Sequence, residues 1–285
     1  MEEALYFVSK VLDIPEAEKK LAADRHVFLD HLVQTIHQVI PYQNITLLSL
    51  KPEHRHIPTW TEIKEAMMIK QGGTCYILNV FVKYLLQALG FDVYHAASEF
   101  GFPNNHITTI VRNLSSDGAK HLVDFNGFPS FKAIPLDFKE ESPVYSMSFL
   151  TFKFVREGNL IIRVHKTLEP HCPKNLSESE GWAHYFTIDP EPRDLSYFEE
   201  DMTKVYTVPG VNSQILENLM FVSFPGLQLC GIKNKFELSE GDNHKINYKQ
   251  ISSKSEMVQS IINKHSQFPE DKIVSAIDRI NLFTI

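Results

Sequence analysis

One stretch limits the architecture of this 285-residue chain more than any other. From Cys75 to Leu89 it reads CYILNVFVKYLLQAL. Ile77, Val80, Phe81, Tyr84, Leu85 and Ala88 trace one helical face, and Leu78, Val82, Leu86 and Leu89 cover much of the rest. A surface helix keeps one polar side, so a helix that is apolar nearly all round belongs in the middle of a core with other elements packed around it. Gly90 is the expected stop, because glycine tolerates the left-handed conformation that closes many helices.

The segments before this helix also read as helices. Phe28, Leu32, Ile36 and Ile40 recur at helical spacing until Pro41 interrupts them. Thr59 followed by Glu62 predicts a capping box at the start of TWTEIKEAMMIK. From Phe91 the texture changes. FDVYHAASEF, HITTIVRNL and KHLVDFNGF are short, β-branched or aromatic, and separated by turn chemistry such as SSDG. VYSMSFLTFKFV and LIIRV flank REGN and predict a further hairpin. In the last third GLQLCGIKNKFEL reads as strand, whereas SEMVQSIINKHS and PEDKIVSAIDRI read as helix. The segment 171–181, HCPKNLSESEG, is the most loop-like.

Composition excludes some classes of function. Hydrophobic residues at 43% and charged residues at 22% suit a globular protein with a full core. A net charge of −7 argues against a general nucleic-acid binder, which needs a basic surface. Cys75, Cys172 and Cys230 are too few and too scattered for a disulfide framework or a zinc site, so no metal is expected. The first residues carry early acids and no apolar core of signal-peptide length, and no apolar run approaches about 18 residues. A cytoplasmic protein without membrane contact is expected, and the Asn-x-Ser/Thr triplets at Asn44, Asn113 and Asn175 read as chance matches.

The chemistry centres on QGGTC, residues 71–75. With Thr74 as N-cap, the Cys75 thiol falls in the first turn of the central helix, where the positive end of the helix dipole favours a thiolate. Gly72 and Gly73 permit a tight turn and leave room for a substrate to approach the sulfur. Taken alone, the same cysteine could be a small residue packed into a helix crossing. A nucleophilic thiol also needs a base, and the base needs an orienting group. His106 opens the strand HITTIV, and Asp124 lies near the end of HLVDF. A turn near Ser115 to Gly118 sets the two opposite each other or within a few residues. His95 and His121 are rival bases, but His121 lies three residues from Asp124 and faces the other side of its strand.

These motifs together resemble the arylamine N-acetyltransferases. That family has a Pro-Phe-Glu-Asn-Leu segment, Arg-Gly-Gly-x-Cys opening a long helix, a histidine-led strand and a Val-Asp-x-Gly-Phe-like strand. Their counterparts here are PYQNI (41–45), QGGTC (71–75), HITTIV (106–111) and LVDFNGF (122–128). YFTIDPEPRDLSYFE (185–199) and the closing LFTI are similar to further family segments. The resemblance implies an α+β fold in three parts. These are a helical bundle over 1–90 carrying the cysteine, an antiparallel β-barrel over 91–200 carrying His and Asp, and an α/β lid over 201–285.

It also implies a Cys75–His106–Asp124 triad. An acyl-coenzyme A donor would acylate the cysteine, and a small, aromatic amine would then take the acyl group in a ping-pong reaction. A carrier-protein thioester is the alternative donor, as in an amide synthase of specialised metabolism. Tyr42, Gly72, Gly73, Thr74, Phe125, Gly127, Ser213 and Thr284 are the implied substrate- and coenzyme A-binding residues, and a monomer is expected. Two departures stand out: Gln43 where the family has glutamate, and Gln71 where it has arginine.

Overall fold

The computed structural model describes residues 1–166, 178–179, 181–211 and 213–283. The expected helices form: Glu2–Tyr6 running into a wider turn at Phe7–Val11, Ala17–Ala23, Arg25–Val39, Trp60–Met68 and Cys75–Ala88. Local chemistry sets their ends. The Asp24 carboxylate accepts from the His26 and Val27 amides at 2.9 and 3.0 Å. Thr59 and Glu62 close the expected capping box, with the Thr59 amide donating to Glu62 at 2.7 Å. Gly90, at φ +83°, ends the cysteine helix, and the Phe91 amide reaches back to the Leu86 carbonyl at 3.0 Å. As its composition predicts, the Cys75–Ala88 helix is central. Leu78, Val80, Val82 and Leu86 are buried in one cluster with Phe7, Leu29, Leu32, Ile36 and Met67.

The strand-rich middle forms an antiparallel sheet. Its main path runs Ile134–Pro135, Lys120–Val123, His106–Arg112, Asp92–Glu99, Trp182–Arg193, Leu160–Lys166, Leu150–Glu157 and Tyr145–Met147. The expected barrel is corrected to a half-barrel, because among the described residues no ladder joins the two end strands. Trp182–Arg193 pairs with Asp92–Glu99 on one side and with Leu160–Lys166 on the other, and a bulge between Asp189 and Pro192 bends it.

A second antiparallel sheet joins Tyr42–Gln43 to Met220–Ser223, then to Cys230–Lys233, Phe236–Glu240 and Ile246–Gln250. The C-terminal third is therefore completed by a strand from the first third. Ile45 and Leu48 lie in the same core cluster as Met257, Ile261, Ile273 and Ile277 of the last two helices, Lys254–Lys264 and Glu270–Arg279. This stitching places residues 42–43 beside the turn that leads into Cys75. The loop expected over 171–181 lies largely outside the described residues, as do Cys172, Asn175 and Thr284. Among the described residues no helix is long and apolar enough to cross a membrane.

Five imidazoles are buried among the described residues, and three of them, His37, His95 and His165, carry no carboxylate partner. Burial pushes His37 and His95 down to about 3 and His165 well below the usual imidazole range, and the Lys83 and Arg163 charges reinforce it at His95 and His165 respectively. Each is neutral when folded and titrates near 6.5 once released, so below pH 6.5 the unfolded chain binds more protons than the folded one. Stability present above pH 6.5 is therefore lost as the pH falls, by up to about 1.4 kcal/mol per pH unit for each such histidine. Urea unfolding should show a clearly lower midpoint at pH 5 than at pH 7; equal midpoints would contradict the buried neutral assignment.

Candidate active site

The turn before Cys75 is shaped by close backbone approach. Tyr42 forms a parallel bridge to Gly73, with the Gln43 amide donating to the Gly73 carbonyl at 2.9 Å and the Gly73 amide to that of Pro41 at 3.3 Å. Gly72 has φ +65°, and a Cβ there would lie 2.0 Å from the Pro41 oxygen; one at Gly73 would lie 2.5 Å from Ile77 Cδ1. Both glycines are thus required by packing of the 41–43 segment and the helix. Neither lines the cavity described below, which corrects the expectation that they open a path to the sulfur.

Thr74 occupies the N-cap position with extended dihedrals, but its side chain makes no capping bond. Its hydroxyl bonds instead to the Tyr206 hydroxyl. The Gln43 amide is also absorbed by this turn. It donates to Thr46 Oγ1 at 3.0 Å and to the Gln71 and Gly72 carbonyls at 3.4 Å, while Gln71 Nε2 has no partner. The two glutamine side chains do not bond to each other, and the turn is braced by amide-to-backbone bonds from Gln43.

His106 and Asp124 meet through the strand register. Thr109 pairs with Val123 and Ile110 with Leu122, which puts His106 two residues beyond the position opposite Asp124 and on the same face. His106 Nε2 donates to Asp124 Oδ1 at 2.8 Å, and both residues are fully buried. Two asparagines that the sequence reading missed complete the carboxylate's shell. Asn79 Nδ2 donates to Asp124 Oδ1 at 3.3 Å and to the Cys75 carbonyl at 3.1 Å, while its Oδ1 accepts from the Phe125 amide at 3.1 Å. Asn126 Nδ2 donates to Asp124 Oδ2 at 2.8 Å. Asn79 lies one turn after Cys75 in an otherwise apolar helix, and an uncharged polar residue in such a run was the available signal.

The other imidazole nitrogen, His106 Nδ1, makes no hydrogen bond, yet the Cys75 sulfur lies close enough to act on it electrostatically. Burial opposes a charge on His106. The Asp124 carboxylate and the sulfur overcome that opposition and push the imidazole up to about 10. The favoured state of the ring at neutral pH is therefore an imidazolium held between the Asp124 carboxylate and the Cys75 sulfur. Around the sulfur stand three phenols. Withdrawal from water first, and the charge at Cys75 second, hold the Tyr42 and Tyr206 hydroxyls protonated; at Tyr185 burial outweighs the opposing pull of Arg163.

Cys75 and His106 open onto a cavity of about 880 Å³. Of the expected binding residues, Tyr42, Thr74 and Gly127 line it, and Gly127, at φ +83°, is packed under the Tyr42 ring, 3.1 Å from where its own Cβ would be. Phe125 does not line it. Its ring turns into the helical core, with its centroid 4.6 Å from that of His37, which corrects its assignment to a ligand arm. Thr284 lies outside the described residues, as does the Ser213 side chain, whose backbone opens the short helix Ser213–Leu216.

The cavity also takes in Phe100, Phe128, Phe149 and Tyr185, aromatic residues from the half-barrel, together with residues of the second sheet such as Lys233 and Phe236. The rival histidines are elsewhere: His95 packs against Tyr84 and Phe198, and His121 against His26. Among the described residues no cluster of His, Cys, Asp and Glu could hold a metal ion.

A comparison with curated proteins gave no significant match. Solved structures give the fold. The chain is similar to the Mycobacterium marinum arylamine N-acetyltransferase in complex with CoA, with a TM-score of 0.75 at 13% identity over 96% of this chain and 98% of that one. It is also similar to the Mycobacterium abscessus arylamine N-acetyltransferase, with a TM-score of 0.73 at 17% identity over 95% and 96% of the two chains. The enzyme from Salmonella typhimurium matches with a TM-score of 0.70 at 15% identity over 89% and 91%. A family model described as N-acetyltransferase matches residues 27–266, a span that holds Cys75, His106 and Asp124 together. On that match the chain belongs to this N-acetyltransferase family, the one its cysteine, histidine and aspartate motifs point to.

Proposed function

We propose that the protein transfers an acyl group from a coenzyme A thioester to a small aromatic amine through a thioester on Cys75. The observation that carries this reading is the buried His106–Asp124 pair, at 2.8 Å, set beside a thiol at a helix start on a cavity wall. Family membership and the CoA complex of the Mycobacterium marinum protein support the donor class.

The chemistry divides into two half-reactions. The Cys75 thiolate attacks the thioester carbonyl of the donor, and the His106 imidazolium gives its proton to the departing coenzyme A thiolate. Exchange of one thioester for another is nearly balanced in energy, so little driving force is lost. An amine then attacks the acyl-cysteine, His106 accepts a proton from it, and the Cys75 thiolate leaves with the new amide released. The Cys75 amide, in the first helical turn, has no acceptor within the helix and can donate to the oxyanion in both steps. The phenols of Tyr42 and Tyr206 offer further donors at the same wall. The aromatic rings of Phe100, Phe128 and Phe149 suit a flat, apolar acceptor.

Mixing the protein with acetyl-coenzyme A should add one acetyl group, located by peptide mass spectrometry on Cys75. Cys75→Ser should show no adduct and lose turnover by more than about a thousandfold, as removal of a nucleophile does. Substitutions at Cys172 or Cys230 should leave the adduct in place, and normal turnover by Cys75→Ser would refute the reading.

The imidazolium also sets a pH dependence. With His106 protonated up to about 10, the thiolate should be alkylated well below the ordinary cysteine value of about 8.5. His106→Gln should move the alkylation profile back up toward that value. A profile that is the same in both proteins would leave the helix terminus as the sole source of activation.

A further inference from the structure

The half-barrel holds a charge that the two half-reactions do not use. Arg163, in the middle of the Leu160–Lys166 strand, is fully buried. Its Nη2 donates to the Pro129 carbonyl at 3.2 Å, and Nε and Nη1 have no partner. Its guanidinium carbon sits 4.0 Å from the centroid of Phe152 and 5.9 Å from that of Tyr185. Among the described residues no carboxylate lies within ion-pair distance of it. A buried guanidinium supported only by one carbonyl and two rings would be costly unless another buried charge balanced it through space.

One is at hand. Burial lowers Arg163 to about 10, and Tyr185 and Asp124 act to raise it, so the guanidinium stays cationic at neutral pH. Asp124 in turn is faced by His106, His37, Tyr42, Tyr185 and Arg163. His37 and His165 are held neutral by their burial. With Cys75 as thiolate and His106 as imidazolium, the triad carries one net negative charge, and Arg163 supplies the matching positive one. The same side chain is tied to Pro129, in the loop that leaves Asp124 and carries Asn126 and Gly127 to the cavity wall.

We propose that Arg163 is a positioning residue for the reaction. Its buried charge balances Asp124, and its bond to Pro129 pins the loop that completes the site. It does not line the cavity and touches no substrate. It acts on the sulfur in series: Arg163 faces the Asp124 carboxylate, the carboxylate accepts from His106 Nε2, and His106 lies beside the sulfur. This rests on the triad proposed above.

The test is the pH profile of Cys75 alkylation by iodoacetamide, which requires neither donor nor acceptor. In Arg163→Met the profile should move up by about one unit, so that alkylation at pH 6 falls about tenfold while the rate near pH 10 is kept. Arg163→Lys should recover most of the loss. An unchanged profile in folded Arg163→Met would overturn the proposal, since a purely structural role moves stability and not the titration. An Arg163→Lys profile as displaced as that of Arg163→Met would assign the effect to shape and overturn the charge argument. Should Arg163→Met not fold, Arg163→Met combined with Asp124→Asn decides. Removing both charges strands neither, so folding should return, and continued failure would overturn the proposal. A wild-type thiol with an ordinary cysteine profile would instead reject the triad itself, which separates the two failures.

Discussion

The site depends on one buried hydrogen bond, from His106 Nε2 to Asp124 Oδ1. Neither side chain touches water, so the pair is stable only while the carboxylate's remaining lone pairs are met. The rest of the architecture can be understood as meeting that demand. Adjacent strands bring the two residues to one face, and the Cys75–Ala88 helix sends Asn79 out of its apolar surface to the carboxylate and to the Cys75 carbonyl. The loop after Asp124 bends Asn126 back onto the second carboxylate oxygen. Helix, strand and loop are therefore coupled at a single carboxylate, and the thiol inherits its position from all three.

Much of this was legible in the sequence because it rests on local chemistry. The apolar run after Cys75, the Thr59–Glu62 box, the stop at Gly90 and the hairpin around REGN all report short-range constraints, and the structure has each of them. The meeting of His106 with Asp124 was legible for a related reason, since a hairpin converts sequence position into spatial register. What escaped depends on contacts between distant segments. Nothing near Tyr42 in the sequence announces that it pairs with Val222 and closes the second sheet. Thr74 has the composition of a cap, but the Tyr206 hydroxyl, far along the chain, takes its side chain. Phe125 stands beside Asp124 in sequence and turns into the core in space.

Of the glutamines at 43 and 71, it is the Gln43 side chain that braces the turn before Cys75, while Gln71 Nε2 has no partner. Gln43 is almost completely buried and uses its amide to tie Thr46 to the carbonyls of the turn before Cys75. The turn is thus braced by neutral hydrogen bonds, which avoid the desolvation cost of two buried charges. The charges near the thiol are then those of His106, Asp124 and the buried Arg163.

The central claim is that His106 is an imidazolium at neutral pH because it lies between the Asp124 carboxylate and the Cys75 sulfur. Nitrogen-15 NMR of imidazole-labelled protein across pH 6 to 10 reads this directly. The account predicts a His106 resonance pair with both nitrogens protonated at pH 7, losing a proton only near 10, with Cys75→Ser shifting that loss to lower pH. A neutral His106 ring at pH 7, insensitive to Cys75→Ser, would contradict it.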